Sequence, residues 1–132
     1  MEKENDRKID PSDYSRMADL CVSIIEDGKG GDVLKLEVGD LSVVADCFIL
    51  CTANSAPHLK ALSQRLRKEV SRSTGVKPHT DGEVDSAWVV LDYGNVVIHI
   101  LTPEMREKYQ LEELWGDNSE IRKLLERMKD ED

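Results

Sequence analysis

Residues 47–52, CFILCT, form a short run that is apolar on both faces of any strand built from it. Such a run cannot lie at a solvent boundary; it reads as a central strand with a layer above and a layer below. The chain then supplies a helix. Asn54-Ser55 offers a cap, Pro57 is tolerated in the first turn, and Leu59, Leu62, Leu66 and Val70 make a buried seam that Gly75 closes. A two-sided strand followed at once by an amphipathic helix predicts an α/β domain with a mixed sheet.

The remaining segments fit around that unit. Residues 1–9 are polar and read as a flexible tail. Asp10-Pro11 suggests a cap followed by proline at the first helical position, and Tyr14, Met17, Ala18, Cys21, Ile24 and Ile25 share one helical stripe. Gly28 and the following Lys-Gly-Gly end it. Residues 33–38, VLKLEV, alternate, as expected of a strand with one wet face near an edge. A brief strand at 76–79 is weakly signalled, and Thr80–Ser86 reads as an acidic loop. AWVVLD (87–92) and VVIHIL (96–101) flank Tyr93-Gly94-Asn95, where glycine at the first central position matches a two-residue type II′ hairpin. Thr102-Pro103-Glu104 opens a short helix, and Ile121, Leu124, Leu125 and Met128 line a C-terminal amphipathic helical extension over 118–132.

Composition narrows the function classes. A chain of 132 residues is expected to fold as one domain. No apolar run is long enough to span a bilayer, and the N-terminal MEKENDRKID lacks the apolar core of a signal peptide. Three cysteines without paired spacing argue for a reducing compartment, so the chain reads as cytoplasmic. With a net charge of −9 it lacks the basic character of a protein that binds free nucleic acid, and a basic protein is the better partner. The densest basic stretch, Lys60 to Glu69, reads as the solvated face of the second helix.

No catalytic constellation assembles. Cys47 and Cys51 share a strand face but stand too far apart to chelate one ion, and buried free cysteine is more often core than nucleophile. His58, His79 and His99 have no metal spacing. His99 shares a strand face with Val97 and Leu101, which makes it a packed or rim residue bonded to a carbonyl or carboxylate, with Asp92 as one candidate partner. Gly28-Lys-Gly-Gly-Asp32 follows a helix and lacks the GK[ST] ending of a phosphate loop. No catalytic residue, cofactor or metal is therefore expected. Trp88, Tyr93, Tyr109 and Trp115 occur among Asp92, Glu112, Glu113 and Asp117. Large aromatics within an acidic rim suit a protein interface, while completing a small core is the alternative.

Three ordered segments, ADCFILCTANSAPHLKAL (45–62), DGEVDSAWVVLDYGNVVIHIL (81–101) and REKYQLEELWGD (106–117), resemble the ribosomal silencing factor, or Iojap, family. The resemblance covers about residues 10–117. It implies a compact fold with a mixed five-stranded sheet flanked by helices, nucleotidyltransferase-like but without that fold's catalytic residues. It further implies binding to the large ribosomal subunit through a basic ribosomal protein, the fourteenth in the standard naming, with subunit joining blocked and translation repressed in starvation. A role in large-subunit assembly is the alternative, a nucleotide-binding enzyme a more distant one, and homodimerisation is compatible with either of the ribosomal roles. Matching positions are Asp46, Thr52, Asn54, Ser55, His58, Gly82, Trp88, Asp92, Tyr93, Gly94, His99, Arg106, Tyr109, Leu111, Glu112, Leu114 and Trp115. Among them Trp88, Tyr93, Tyr109 and Leu111 are expected as apolar anchors, with Asp92 and Glu112 facing basic groups. Asn54, Ser55 and Gly94 are expected to hold caps and turns. Asn95 stands where the family commonly carries an acid.

Overall fold

The computed structural model describes residues 9–37, 45–83 and 87–109. Its elements run α1 (Tyr14–Asp27), β1 (Gly31–Glu37), β2 (Cys47–Thr52), α2 (Ala56–Thr74), β3 (His79–Glu83), β4 (Trp88–Asp92), β5 (Val96–Leu101) and α3 (Pro103–Tyr109). The five strands form one sheet in the order β1-β2-β5-β4-β3, in which β2 and β5 run parallel and the other neighbours antiparallel. This is the expected mixed sheet, and CFILCT occupies an interior position with all six residues buried.

The two faces are covered differently. Cys47, Ile49 and Cys51 of β2 and Val96, Ile98 and Ile100 of β5 lie in one core cluster with Met17, Cys21 and Ile25 of α1 and Leu59, Leu62 and Leu66 of α2. The opposite face carries Leu50 and Leu101, packed by Leu34, Trp88 and by Met105 of α3. Period-two alternation makes this inevitable: each inner strand sends half its side chains to either layer. The first layer, under the two long helices, is the larger core.

Two expectations about boundaries need correction. Asp10 does not cap the first helix. Its carbonyl accepts from Asp13 N at 3.0 Å, and its carboxylate accepts from both the N–H and the hydroxyl of Ser12, at 3.0 and 2.8 Å. Pro11 thus sits in a turn, and Asp13 is the cap, accepting from Arg16 N at 3.2 Å. Two aspartates three residues apart both satisfy the capping rule, and proline after the first favours the tighter turn.

The second correction concerns β3. His79–Glu83 is a strand, pairing antiparallel with β4 in a register that sets Gly82 opposite Val89. The sequence HTDGE offers no apolar alternation, and this edge strand owes its state to backbone pairing with β4. Gly82 is required there: its φ is +79°, and a Cβ would collide with the Trp88 carbonyl oxygen. Both edge strands carry charge, Lys35 and Glu37 on β1 and His79 and Asp81 on β3, which discourages pairing with a further chain.

The expected hairpin is present. Tyr93 N donates to Val96 O at 2.9 Å, Gly94 takes φ +91°, and Asp92 Oδ1 accepts from Gly94 N at 2.7 Å. Asn95 donates from Nδ2 to Pro11 O at 2.6 Å and so ties the hairpin to the turn before α1.

Candidate functional site: the outer sheet face around Trp88

Trp88, Val90 and Asp92 alternate along β4 and therefore share the sheet face opposite α1 and α2, and all three are half-buried. Across the strand pair, Asp81 stands opposite Val90 and His79 opposite Asp92. His79 Nε2 and Asp81 Oδ1 lie 3.3 Å apart. An indole, an aliphatic side chain and two carboxylates are thus presented together on the β3–β4 half of the sheet.

The position of the indole is fixed from below. Trp88 Nε1 donates to His99 Nδ1 at 3.1 Å. An indole N–H can only donate, so the neutral imidazole must carry its proton on Nε2. His99 is 3% exposed, lies 6.0 Å from the Phe48 ring and 5.9 Å from the indole, and its burial pushes its pKa down to about 4. It is a packed residue, as its strand position suggested, but its partner is Trp88 and not Asp92. Side-chain length explains why: Trp88 and Asp92 both lie diagonal to His99, which pairs with Val90, and the long indole spans that distance while the short carboxylate turns to its own loop. At the start of β4, Ala87 holds φ +65° and its carbonyl accepts from Thr102 N at 3.1 Å, which sets the angle at which Trp88 enters the sheet.

Other expected site residues fall elsewhere. Tyr93 packs on the opposite layer, against the core under α1 and α2, with its hydroxyl buried and unpartnered among the described residues. Burial raises its pKa. The structure therefore does not bring Tyr93 together with Trp88. Asp46 N donates to Asn95 O at 2.9 Å beside the hairpin. Ser55 caps α2, its hydroxyl accepting from His58 N at 3.2 Å. His58 Nδ1 accepts from Asn54 N at 3.0 Å, which leaves Nε2 protonated to donate to Gly28 O at 2.9 Å. His58 is thus a latch between the start of α2 and the end of α1.

Arg106, on α3, donates from Nη1 to Asp32 O at 2.6 Å and to Thr52 Oγ1 at 2.8 Å. It pins α3 across the ends of β1 and β2. Tyr109 ends α3, while Leu111, Glu112, Leu114, Trp115 and the expected helix over 118–132 lie outside the described residues.

The Cys21, Cys47 and Cys51 thiols are buried, and burial pushes them up to about 12, 11 and 12, which removes their nucleophilic form at neutral pH. Among the described residues, no group of three or more His, Cys, Asp or Glu side chains could hold a metal ion. No helix among them is long and apolar enough to cross a membrane.

Comparison with known proteins gives a consistent set of relatives. The family model described as "Ribosomal silencing factor during starvation" matches residues 11–132. A ribosomal silencing factor of Halalkalibacterium halodurans is 34% identical over 99 residues, covering 74% of this chain and 84% of that one. The chloroplastic protein Iojap of Arabidopsis thaliana is 35% identical over 98 residues, covering 74% of this chain and 41% of its own length. Among solved structures, one from Chromobacterium violaceum superposes with a TM-score of 0.72 at 30% identity, covering 77% of this chain and 85% of the other. One from Bacillus halodurans gives 0.67 at 30% identity, covering 76% and 94%. A sheet that superposes on these solved structures and a family match over residues 11–132 agree: the chain belongs to the ribosomal silencing factor family.

Proposed function

We propose that this protein binds the large ribosomal subunit through a basic ribosomal protein, the fourteenth in the standard naming, at the face where the subunits meet. Occupying that face excludes the small subunit and so lowers translation. The reading is of a non-enzymatic factor. It is supported by the family match and carried by one observation, the half-buried Trp88 held by His99 on a sheet face that also carries Asp81 and Asp92. A fixed aromatic next to carboxylates is the kind of anchor that a basic protein surface meets well, because the ring supplies area at little entropic cost and the acids supply steering. Tyr109, Leu111 and Glu112 extend this flank in our reading, and a contact of standard size, about 1,600 Å², is sufficient for tight binding.

The test is co-sedimentation with purified large subunits, followed by a joining assay with small subunits. Trp88→Phe keeps a ring but loses the indole N–H, and Trp88→Ala loses both. Binding should fall in the order wild type, Phe, Ala, with Tyr109→Ala also weakened, while circular dichroism shows folded proteins. Normal joining at saturating protein would sink the proposal. Specific heat on titration with ATP or CTP and magnesium would instead support a nucleotide-binding enzyme.

A second reading comes from the name of a relative. A mouse protein 28% identical over 100 residues is called "Mitochondrial assembly of ribosomal large subunit protein 1". A role in large-subunit assembly would use the same surface, and precursor subunits accumulating in a deletion strain under rich growth would favour it over silencing.

A further inference from the structure

The outward side of α2 differs in charge from the rest of the molecule. Residues 56–78 hold six cations (Lys60, Arg65, Arg67, Lys68, Arg72 and Lys77) against one carboxylate, Glu69, which makes them +5; as the whole chain is −9, the remainder carries −14. All six cations are exposed. Glu69 is already engaged, its Oε1 accepting from Arg72 Nη2 at 2.9 Å. Arg67, Lys68 and Lys77 have no ion-pair partner among the described residues.

These groups also share a shape. Gln64, Arg67, Lys68 and Ser71 fall at three- and four-residue steps along α2, and with Lys77 and Pro78 just before β3 and Thr80 within it they line one open groove. Its lining holds three cations, two hydroxyls and an amide, with no acid and no aromatic ring. Like charges gathered in this way repel one another in the free protein, a cost that a polyanion removes.

We propose that this groove is a phosphate-backbone site for double-helical RNA of the large ribosomal subunit, a proposal that rests on the subunit-binding reading above. Several features favour RNA over an acidic protein or a lipid surface. A protein interface would normally supply a large aliphatic or aromatic anchor at its centre, and this groove, whose one apolar side chain is Pro78, has none of that size. Nucleic-acid interfaces are instead polar and strongly positive. Single-stranded RNA would want rings to stack on, whereas a duplex is held through its backbone and 2′-hydroxyls. The groove lies on the α2 side of the sheet and Trp88 on the other, so the protein would be gripped on two flanks, by ribosomal protein on one and by RNA on the other.

The experiment compares the full chain with a triple variant, Arg67→Gln, Lys68→Gln and Lys77→Gln, which leaves the helix seam untouched. Fluorescence anisotropy with a short labelled RNA duplex, read across a salt series, should show a steep fall in wild-type affinity with salt. In the variant the log–log slope should be shallower by roughly three, and affinity lower by roughly ten-fold or more. The same variant should bind intact large subunits more weakly, yet retain wild-type affinity for the isolated ribosomal protein and an unchanged melting temperature. Wild type and variant binding subunits equally overturns the RNA site while leaving the protein-partner reading intact. Wild type failing to bind subunits at all defeats that reading, and this proposal with it. Loss of affinity for the isolated ribosomal protein, or tighter binding to polyglutamate than to the duplex, also overturns the RNA site.

Discussion

His99 is held neutral by its surroundings, and that has a thermodynamic consequence. An unfolded chain binds the imidazole proton with a pKa near 6.5, whereas the folded protein, by burial, lowers it to about 4. Between those values the unfolded state carries the extra proton. Stability from this residue is therefore present above about pH 6.5 and lost as the pH falls toward 4, by up to roughly 3 kcal/mol. Protonation would also cost Nδ1 its role as acceptor for Trp88. Urea denaturation near pH 7 and near pH 5 should show this loss in the wild type and a much smaller one in His99→Phe. Equal losses in both would remove His99 as the cause. Gly82 supplies a second prediction at this scale. With φ at +79° and the Trp88 carbonyl where a Cβ would go, Gly82→Ala should cost about 2 kcal/mol and expose the β3–β4 pair to proteolysis.

At the scale of elements, α2 and α3 are each located by a few polar bonds at their ends. Ser55→Ala removes the cap on His58 N and should lower stability by about 1 kcal/mol. His58→Ala should add to that effect, because the bond to Gly28 O joins α2 to the end of α1. The two sites touch, so the double variant should cost other than the sum, and thermal melts of the single and double variants would show it. Arg106 does the same for α3, through Asp32 O and Thr52 Oγ1. Arg106→Ala should leave the sheet folded but loosen the segment that ends in Tyr109. In our functional reading that weakens large-subunit binding by roughly ten-fold, because both charge-assisted bonds that fix α3 are lost. Unchanged subunit affinity in a folded Arg106→Ala protein would mean that α3 is not part of the contact.

Across the whole molecule, a sheet covered on one face by two long helices presents two chemically distinct flanks: the aromatic and acidic surface of β3 and β4, and the basic outward side of α2. Much of this was legible locally. CFILCT announced a central strand, the seam from Leu59 to Val70 announced its covering helix, and glycine at position 94 announced the hairpin. These are short-range facts, set by solvent contact and by backbone sterics, so a window of a few residues carries them. Other features depend on register. That β2 lies beside β5 and runs parallel to it, that HTDGE is a strand, and that His99 comes within reach of Trp88 all follow from which residue stands opposite which. The sequence alone determined every described element except β3, the layered class and the family resemblance, because hydrophobic period and turn chemistry are local. Only the tertiary structure decided which side chains meet, because strand pairing joins residues far apart in the chain and a shift of one residue would send each to the other face.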